Sequence, residues 1–283
     1  MPVLYVHIPK YLKKSYLSGE LDDEGIFTHI WDSIRKQCGV RDKKNVWFNI
    51  IIRTKYRKYT KKGVKSMSNY EIAIFDVDGT LLNTTEGIVA SAKYTIDKMG
   101  FKPLDDEQLL AFIGPPIQDS FAGAYHLEGE ILQKIATCFR DHYKDHELFK
   151  AMPYDGIYDL LDELSGRGVK LAVATYKRQD CVETLLRHFG FDKYTSIICG
   201  ADHENKLKKV DIIRQCMDAL GEHDYSKAVM IGDSSNDAVG ACKTGMDFIG
   251  VTYGFGFKSL PEVFELRAVG ASDSPQGILQ FFD

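Results

Sequence analysis

Residues 70–87 read YEIAIFDVDGTLLNTTEG. Four apolar residues, Ile72 to Phe75, run straight into Asp76 and Asp78, and Gly79 then breaks the run. A short continuous apolar run is the pattern of a strand buried on both faces, as in a parallel sheet covered by helices. Side chains two apart on a strand share a side, so both carboxylates project to one place at the strand end while Gly79 lets the backbone turn away. Neighbouring carboxylates repel, and the pKa of one rises unless a cation neutralises the pair. The stretch therefore predicts a bound metal, a shared proton, or both. A calcium loop of the D-x-D form is excluded, because Leu81 and Gly87 stand where it needs glycine and a bidentate glutamate.

The remaining sequence supplies the sheet that such a strand needs. VKLAVAT (169–175), SIIC (196–199), AVMIG (228–232) and FIGV (248–251) are further apolar strand candidates, separated by stretches of helical period such as Ile157, Leu160, Leu161 and Leu164. This alternation predicts right-handed βαβ units and an α/β fold with a doubly wound parallel sheet. Residues 87–149 break it. Ile88, Ala92, Ile96 and Met99, then Ile131, Ile135, Phe139 and Tyr143, mark amphipathic helices with no strand between them. The expected organisation is a core over 67–86 and 150–283, with a helical cap over 87–149 placed to cover the ligand crevice.

The formal net charge of −4 conceals a division. Residues 1–66 carry 15 Lys/Arg against 6 Asp/Glu, and the remainder carries 21 against 34. The leader is thus a basic N-terminal extension, with RTKYRKYTKKGVK (53–65) wholly free of acids. Three readings stand for it: a solvated extension, a nucleic-acid contact through the basic residues and Tyr56 and Tyr59, or a segment upstream of a functional start at Met67. Six cysteines lie far apart without a C-x-x-C pair, and no secretory leader or apolar run of bilayer length is present. The expectation is reduced thiols, a cytoplasmic protein and no membrane contact.

More carboxylates follow another strand. In VMIGDSSNDAVGACKTG (229–245), Asp233 leaves the strand end and Asp237 lies near the start of the next helix. With Asp76 and Asp78 they suit Mg²⁺, which prefers oxygen ligands. Thr175, at the end of LAVAT, offers a hydroxyl, and Lys209, opening KVDIIRQCM, an ammonium. Three carboxylates, one divalent ion and one lysine cancel, leaving a site ready for a phosphate dianion. Lys208 competes with Lys209 for that role, though spacing favours Lys209. Tyr176, Lys177 and Arg178 follow the threonine and either touch a leaving group or lie on the surface. Gly114, with Pro115 and Pro116, forms either a rigid cap loop facing substrate or a plain inter-helix turn. His142 and His146 stand four apart on a cap helix without an evident third ligand, so a solvated helix face is preferred to a zinc site.

DVDGT (76–80), Thr175, Lys209 and GDSSND (232–237), in that order, resemble the four motifs of the haloacid dehalogenase superfamily of phosphohydrolases over about residues 70–283. FIGPPIQDSF (112–121) and GMDFIGVTYGFG (245–256) are similar to its phosphoglycolate phosphatase and 5′-nucleotidase branch. The resemblance implies a Rossmann-like core and a phosphatase acting on a small phosphate ester. In it Asp76 is the nucleophile that forms an aspartyl-phosphate, and Asp78 is the acid/base. Asp76, the Asp78 carbonyl, Asp233 and Asp237 hold Mg²⁺, and Thr175 and Lys209 hold the phosphoryl group. The YKR after Thr175 departs from the asparagine–lysine–proline of many phosphoglycolate phosphatases. Two alternatives are a phosphomutase of the same superfamily and a nucleic-acid-binding chain.

Overall fold

The computed structural model describes residues 70–204 and 206–282. The basic leader, its 53–65 stretch and Cys38 lie outside the described residues.

In chain order the elements begin with β1 (Ile72–Phe75), β2 (Leu82–Asn83), α1 (Thr85–Lys98), α2 (Asp106–Leu110), α3 (Ile117–Tyr125), α4 (Ile131–His142) and β3 (Met152–Pro153). They continue with α5 (Ile157–Gly166), β4 (Lys170–Arg178), α6 (Gln179–His188), β5 (Ile198–Ala201) and α7 (Lys209–Leu220). β6 (Ala228–Gly232), α8 (Ser235–Thr244), β7 (Asp247–Val251), α9 (Leu260–Glu265) and β8 (Gly270–Ser272) complete the series.

Six strands form one sheet in the order β5-β4-β1-β6-β7-β8, with every pairing parallel. The strand period of two sends Ala73 and Phe75 into one apolar cluster, with Leu160, Leu164 and Leu185 of α5 and α6. Ile72 and Ile74 enter the other, with Ile212, Ile213 and Met217 of α7 and Ala238 and Ala241 of α8. Helices thus cover both faces, which is why β1 reads as an unbroken apolar run. The chain builds outward from β1 to β4 and β5, then returns to the other side of β1 with β6. Carboxyl ends of strands at such a reversal flank the ligand crevice of open α/β sheets, and Asp76 directly follows β1.

The helical insert leaves and re-enters the core through β2 and β3, an antiparallel pair that sets Leu82 opposite Pro153 and Asn83 opposite Met152. Between them α1 to α4 bury Ile88, Ala92, Ile96, Ile135 and Phe139, and α4 runs into a π-turn, Tyr143–Glu147, that buries Tyr143.

Two strand expectations change. Thr175 does not end its strand, since β4 runs on to Arg178. The ladder to β5 slips between Ala174, opposite Cys199, and Arg178, opposite Ala201. Such an irregularity re-aims side chains beside a site, and loss of the apolar pattern at Tyr176–Arg178 hid it from the sequence. β8 was unforeseen because its Gly-Ala-Ser is too small and too short to show a strand pattern.

Candidate active site

Beyond β1 the backbone folds back so tightly that the N–H groups of Thr80, Leu81 and Leu82 all donate to the Val77 carbonyl, at 3.2, 3.0 and 3.0 Å. Gly79 sits at φ +80, and a Cβ there would lie 2.1 Å from Asp233 Oδ2. That oxygen cannot yield, because it accepts the N–H groups of Phe255 and Gly256 at 2.6 and 3.0 Å. Gly79→Ala therefore combines left-handed backbone strain with a displaced carboxylate, and a loss of at least about 2 kcal/mol is expected. A thermal unfolding midpoint that drops by several degrees, with activity lost alongside, checks it.

Asp76, Asp233 and Asp237 are buried, and one carboxylate oxygen from each lies within 4.8 Å of the other two. Asp233 Oδ1 is buried without a hydrogen-bond partner. Asp237 serves two ends: Oδ2 accepts from the Ser234 N–H and hydroxyl at 3.1 and 2.6 Å, capping α8, while Oδ1 meets Lys209 Nζ at 2.7 Å. Asp237 thus caps the helix and stands in the acidic cluster at once. An orphaned oxygen beside two further carboxylates, with all-oxygen donors, fits a hard divalent cation.

Lys209 is the counter-charge. Its Nζ stands 3.0 Å from Asp76 Oδ1 and donates to the Ala174 carbonyl at 3.0 Å. The Lys209 N–H donates to the Tyr176 hydroxyl oxygen at 2.9 Å, which fixes the start of α7 against the irregular part of β4. Lys208 is left at the helix cap. Thr175 is buried, and its hydroxyl oxygen accepts the Lys177 N–H at 3.2 Å.

Burial pushes Asp76 up to about 7, against the lowering effect of Lys209 and with added repulsion from Asp237, Asp78 and Asp233. Asp233 is also pushed up to about 7, by burial first and Asp237 second, despite its two backbone donors. Burial alone would lower Lys209, but Asp237 and Asp76 outweigh it and hold the ammonium charged. One lysine does not neutralise this many acids, so the pocket favours added positive charge.

Asp78 stands apart from the metal-type cluster. Its Oδ1 accepts from the Thr84 hydroxyl at 2.6 Å and meets Lys177 Nζ at 3.1 Å. That ammonium also donates to the Tyr143 hydroxyl at 2.9 Å, so Lys177 is a buried bridge from the core to the insert and not a surface residue. Asp78, Gly114, Lys177 and Arg178 line one cleft between the insert and the strand ends. His142 stacks on Tyr94 at 3.7 Å between ring centres, and neither it nor His146 belongs to the acidic trio.

Thr84, Tyr143 and the Asp233 clasp escaped the sequence reading. Thr84 carried a faint signal, standing six residues after Asp78 at the start of α1. The paired glycines of YGFGF (253–257) carried another, since a Cβ on Gly254 would lie 2.2 Å from the Gly79 carbonyl.

Comparison with known proteins places this arrangement. The haloacid dehalogenase-like hydrolase family matches residues 73–251. The chain belongs to that family. A 5′-nucleotidase of Pseudomonas aeruginosa is 34% identical over 203 residues, covering 70% of this chain and 88% of its own. Tyrosine-protein kinase PtkA of Mycobacterium tuberculosis is 32% identical over 187 residues, covering 66% of this chain and 63% of its own. The crystal structure of a predicted phosphatase from Clostridium acetobutylicum superposes with a TM-score of 0.70 at 36% identity, covering 75% of this chain and 100% of that one. The family member described here is a phosphoric monoester hydrolase. Among the described residues no helix is long and apolar enough to cross a membrane.

Proposed function

We propose that the chain is a Mg²⁺-dependent phosphatase that hydrolyses a small phosphomonoester through an aspartyl-phosphate on Asp76. The observation that carries this reading is the convergence of Asp76, Asp233 and Asp237 within 4.8 Å, with Lys209 Nζ 3.0 Å from Asp76.

In this reading Asp76, the Asp78 carbonyl and Asp233 hold Mg²⁺, with Asp237 beside them. The ion supplies charge neutralisation for carboxylates that otherwise repel one another and an incoming phosphate. Asp76 attacks phosphorus through a carboxylate oxygen, while Lys209 and the Thr175 hydroxyl bind the phosphoryl oxygens. Asp78 gives a proton to the leaving oxygen and later takes one from the attacking water, a task for a carboxyl that reaches the cleft but does not join the metal-type cluster. Thr84 and Lys177 set its orientation. The insert over 87–149 acts as a cap on a core of 67–86 and 150–283, with Gly114 on the cap side of the cleft. The free thiols of Cys138, Cys181, Cys199, Cys216 and Cys242 accord with a reducing, cytoplasmic setting.

Inorganic phosphate release from p-nitrophenyl phosphate tests the reading: turnover with Mg²⁺ and none after chelation is expected, and turnover unaffected by chelation would overturn it. Stability gives a second readout. Asp76 and Asp233 have folded pKa values raised from 3.8 to about 7. Between those values the folded protein holds more protons than the unfolded chain, so their contribution to metal-free stability falls as pH rises through that window. The rise in unfolding midpoint on adding Mg²⁺ should therefore be larger at pH 8 than at pH 5.5, and calorimetry at the two pH values checks it.

A further inference from the structure

The cleft between the insert and the strand ends is basic. Its charged lining consists of Lys177, Arg140 and Arg178 against Asp78 alone. Lys177 is matched to Asp78 at 3.1 Å. Arg178 is held by Asp180, through Nε to Oδ1 at 2.5 Å and Nη2 to Oδ2 at 2.8 Å, but Asp180 also takes Lys144 at 2.8 Å. Arg178 Nη1 has no hydrogen-bond partner among the described residues.

Arg140 of α4 differs from both. Its Nη1 donates to the His203 carbonyl at 2.6 Å and its Nη2 to Gln118 Oε1 at 3.0 Å. Both acceptors are neutral, and no carboxylate among the described residues lies in salt-bridge range. The guanidinium is partly buried, and burial together with the nearby Arg178 works against its charge, with Asp202 offsetting part of the effect. The fold therefore places a cation in this cleft, anchors it with neutral acceptors, and sets it beside a second guanidinium with no carboxylate in direct contact. Planar guanidinium groups with spare donors suit carboxylate and phosphate oxygens.

We propose that Arg140 of the insert and Arg178 of β4 form a second anion subsite, so that the preferred leaving group carries an anionic oxygen group, a carboxylate or a second phosphate. This rests on the phosphatase reading and selects within it against uncharged leaving groups. A neutral group would displace water from Arg140 without replacing its hydrogen bonds.

Three esters of similar size test it. Glycerol 3-phosphate has an uncharged leaving group, 3-phosphoglycerate a carboxylate, and propane-1,3-diyl bisphosphate a second phosphate. At least one of the two charged esters is expected to exceed glycerol 3-phosphate in kcat/KM by about tenfold or more, and the one that does identifies the anion. In Arg140→Gln that ratio should fall about tenfold, chiefly through KM, because the contact is made in ground and transition states alike. Arg140→Lys should recover part of it. A parental ratio of one or less, or a ratio unchanged in Arg140→Gln, overturns the subsite while leaving phosphatase activity on p-nitrophenyl phosphate intact. Should the parental protein release no phosphate from any ester, the activity reading fails, and the subsite is read from binding instead. Titration calorimetry with Mg²⁺ and Asp76→Asn should then give about tenfold tighter binding of a charged ester than of glycerol 3-phosphate, and equal affinities overturn it.

Discussion

Asparagine at position 76 should leave a folded protein that releases phosphate at least about 10⁴-fold more slowly than the parent. The substitution keeps the size of the side chain and an oxygen for Lys209 Nζ, which stands 3.0 Å from Asp76 Oδ1, but removes the carboxylate that the proposed mechanism uses as nucleophile. It also removes a charge that the metal-free fold disfavours, since burial pushes Asp76 up to about 7. The unfolding midpoint without metal at pH 8 should thus equal or exceed the parental one. Steady-state phosphate release and differential scanning calorimetry on the same preparation separate lost chemistry from lost structure. A variant that is inactive because it is unfolded would not support the account.

Lys209→Met should act in the opposite way on stability. The ammonium lies 3.0 Å from Asp76 and 2.7 Å from Asp237, with its side chain 3% exposed. Removing one partner from a buried charge cluster leaves uncompensated carboxylates, at a cost of about 3–5 kcal/mol, or roughly 10 °C of unfolding midpoint for a chain of this size. Activity should fall at least about 10²-fold as well, because the proposed mechanism then loses the cation it sets against the transferring phosphoryl group. Combining it with Asp76→Asn should cost less than the two separate effects summed, since the asparagine leaves one fewer buried charge to balance. A strictly additive double variant would show that Lys209 and Asp76 do not interact.

The sequence carried those parts of the site that rest on local pattern. Asp76 and Asp233 each follow an apolar strand, so strand and carboxylate were legible as one unit, and sheet topology then brought the two strand ends together. Lys209 was harder, since a lysine at a helix start is ordinary; its role came from its order among the motifs. Nothing local announced the groups that complete the pocket from a distance. Tyr143 reaches Lys177 across 34 residues, and Phe255 and Gly256 hold Asp233 through backbone N–H groups that residue type does not reveal. Arg140 belongs with these. On α4 it reads as one charge among many, and only the fold sets it beside Arg178 in the cleft. The extension of β4 through Arg178 was hidden for a related reason, since a slipped ladder has no period to read.

In the proposed mechanism Asp76 itself takes the phosphoryl group from the substrate. Mixing the protein with a ³²P-labelled phosphate ester and Mg²⁺, quenching in acid within a turnover and mapping the labelled peptide tests it directly. The account predicts a hydroxylamine-labile phosphate on the peptide containing Asp76, absent from Asp76→Asn. Label on a histidine or serine instead, or phosphate release with inversion at phosphorus and no labelled protein at any time, would contradict it.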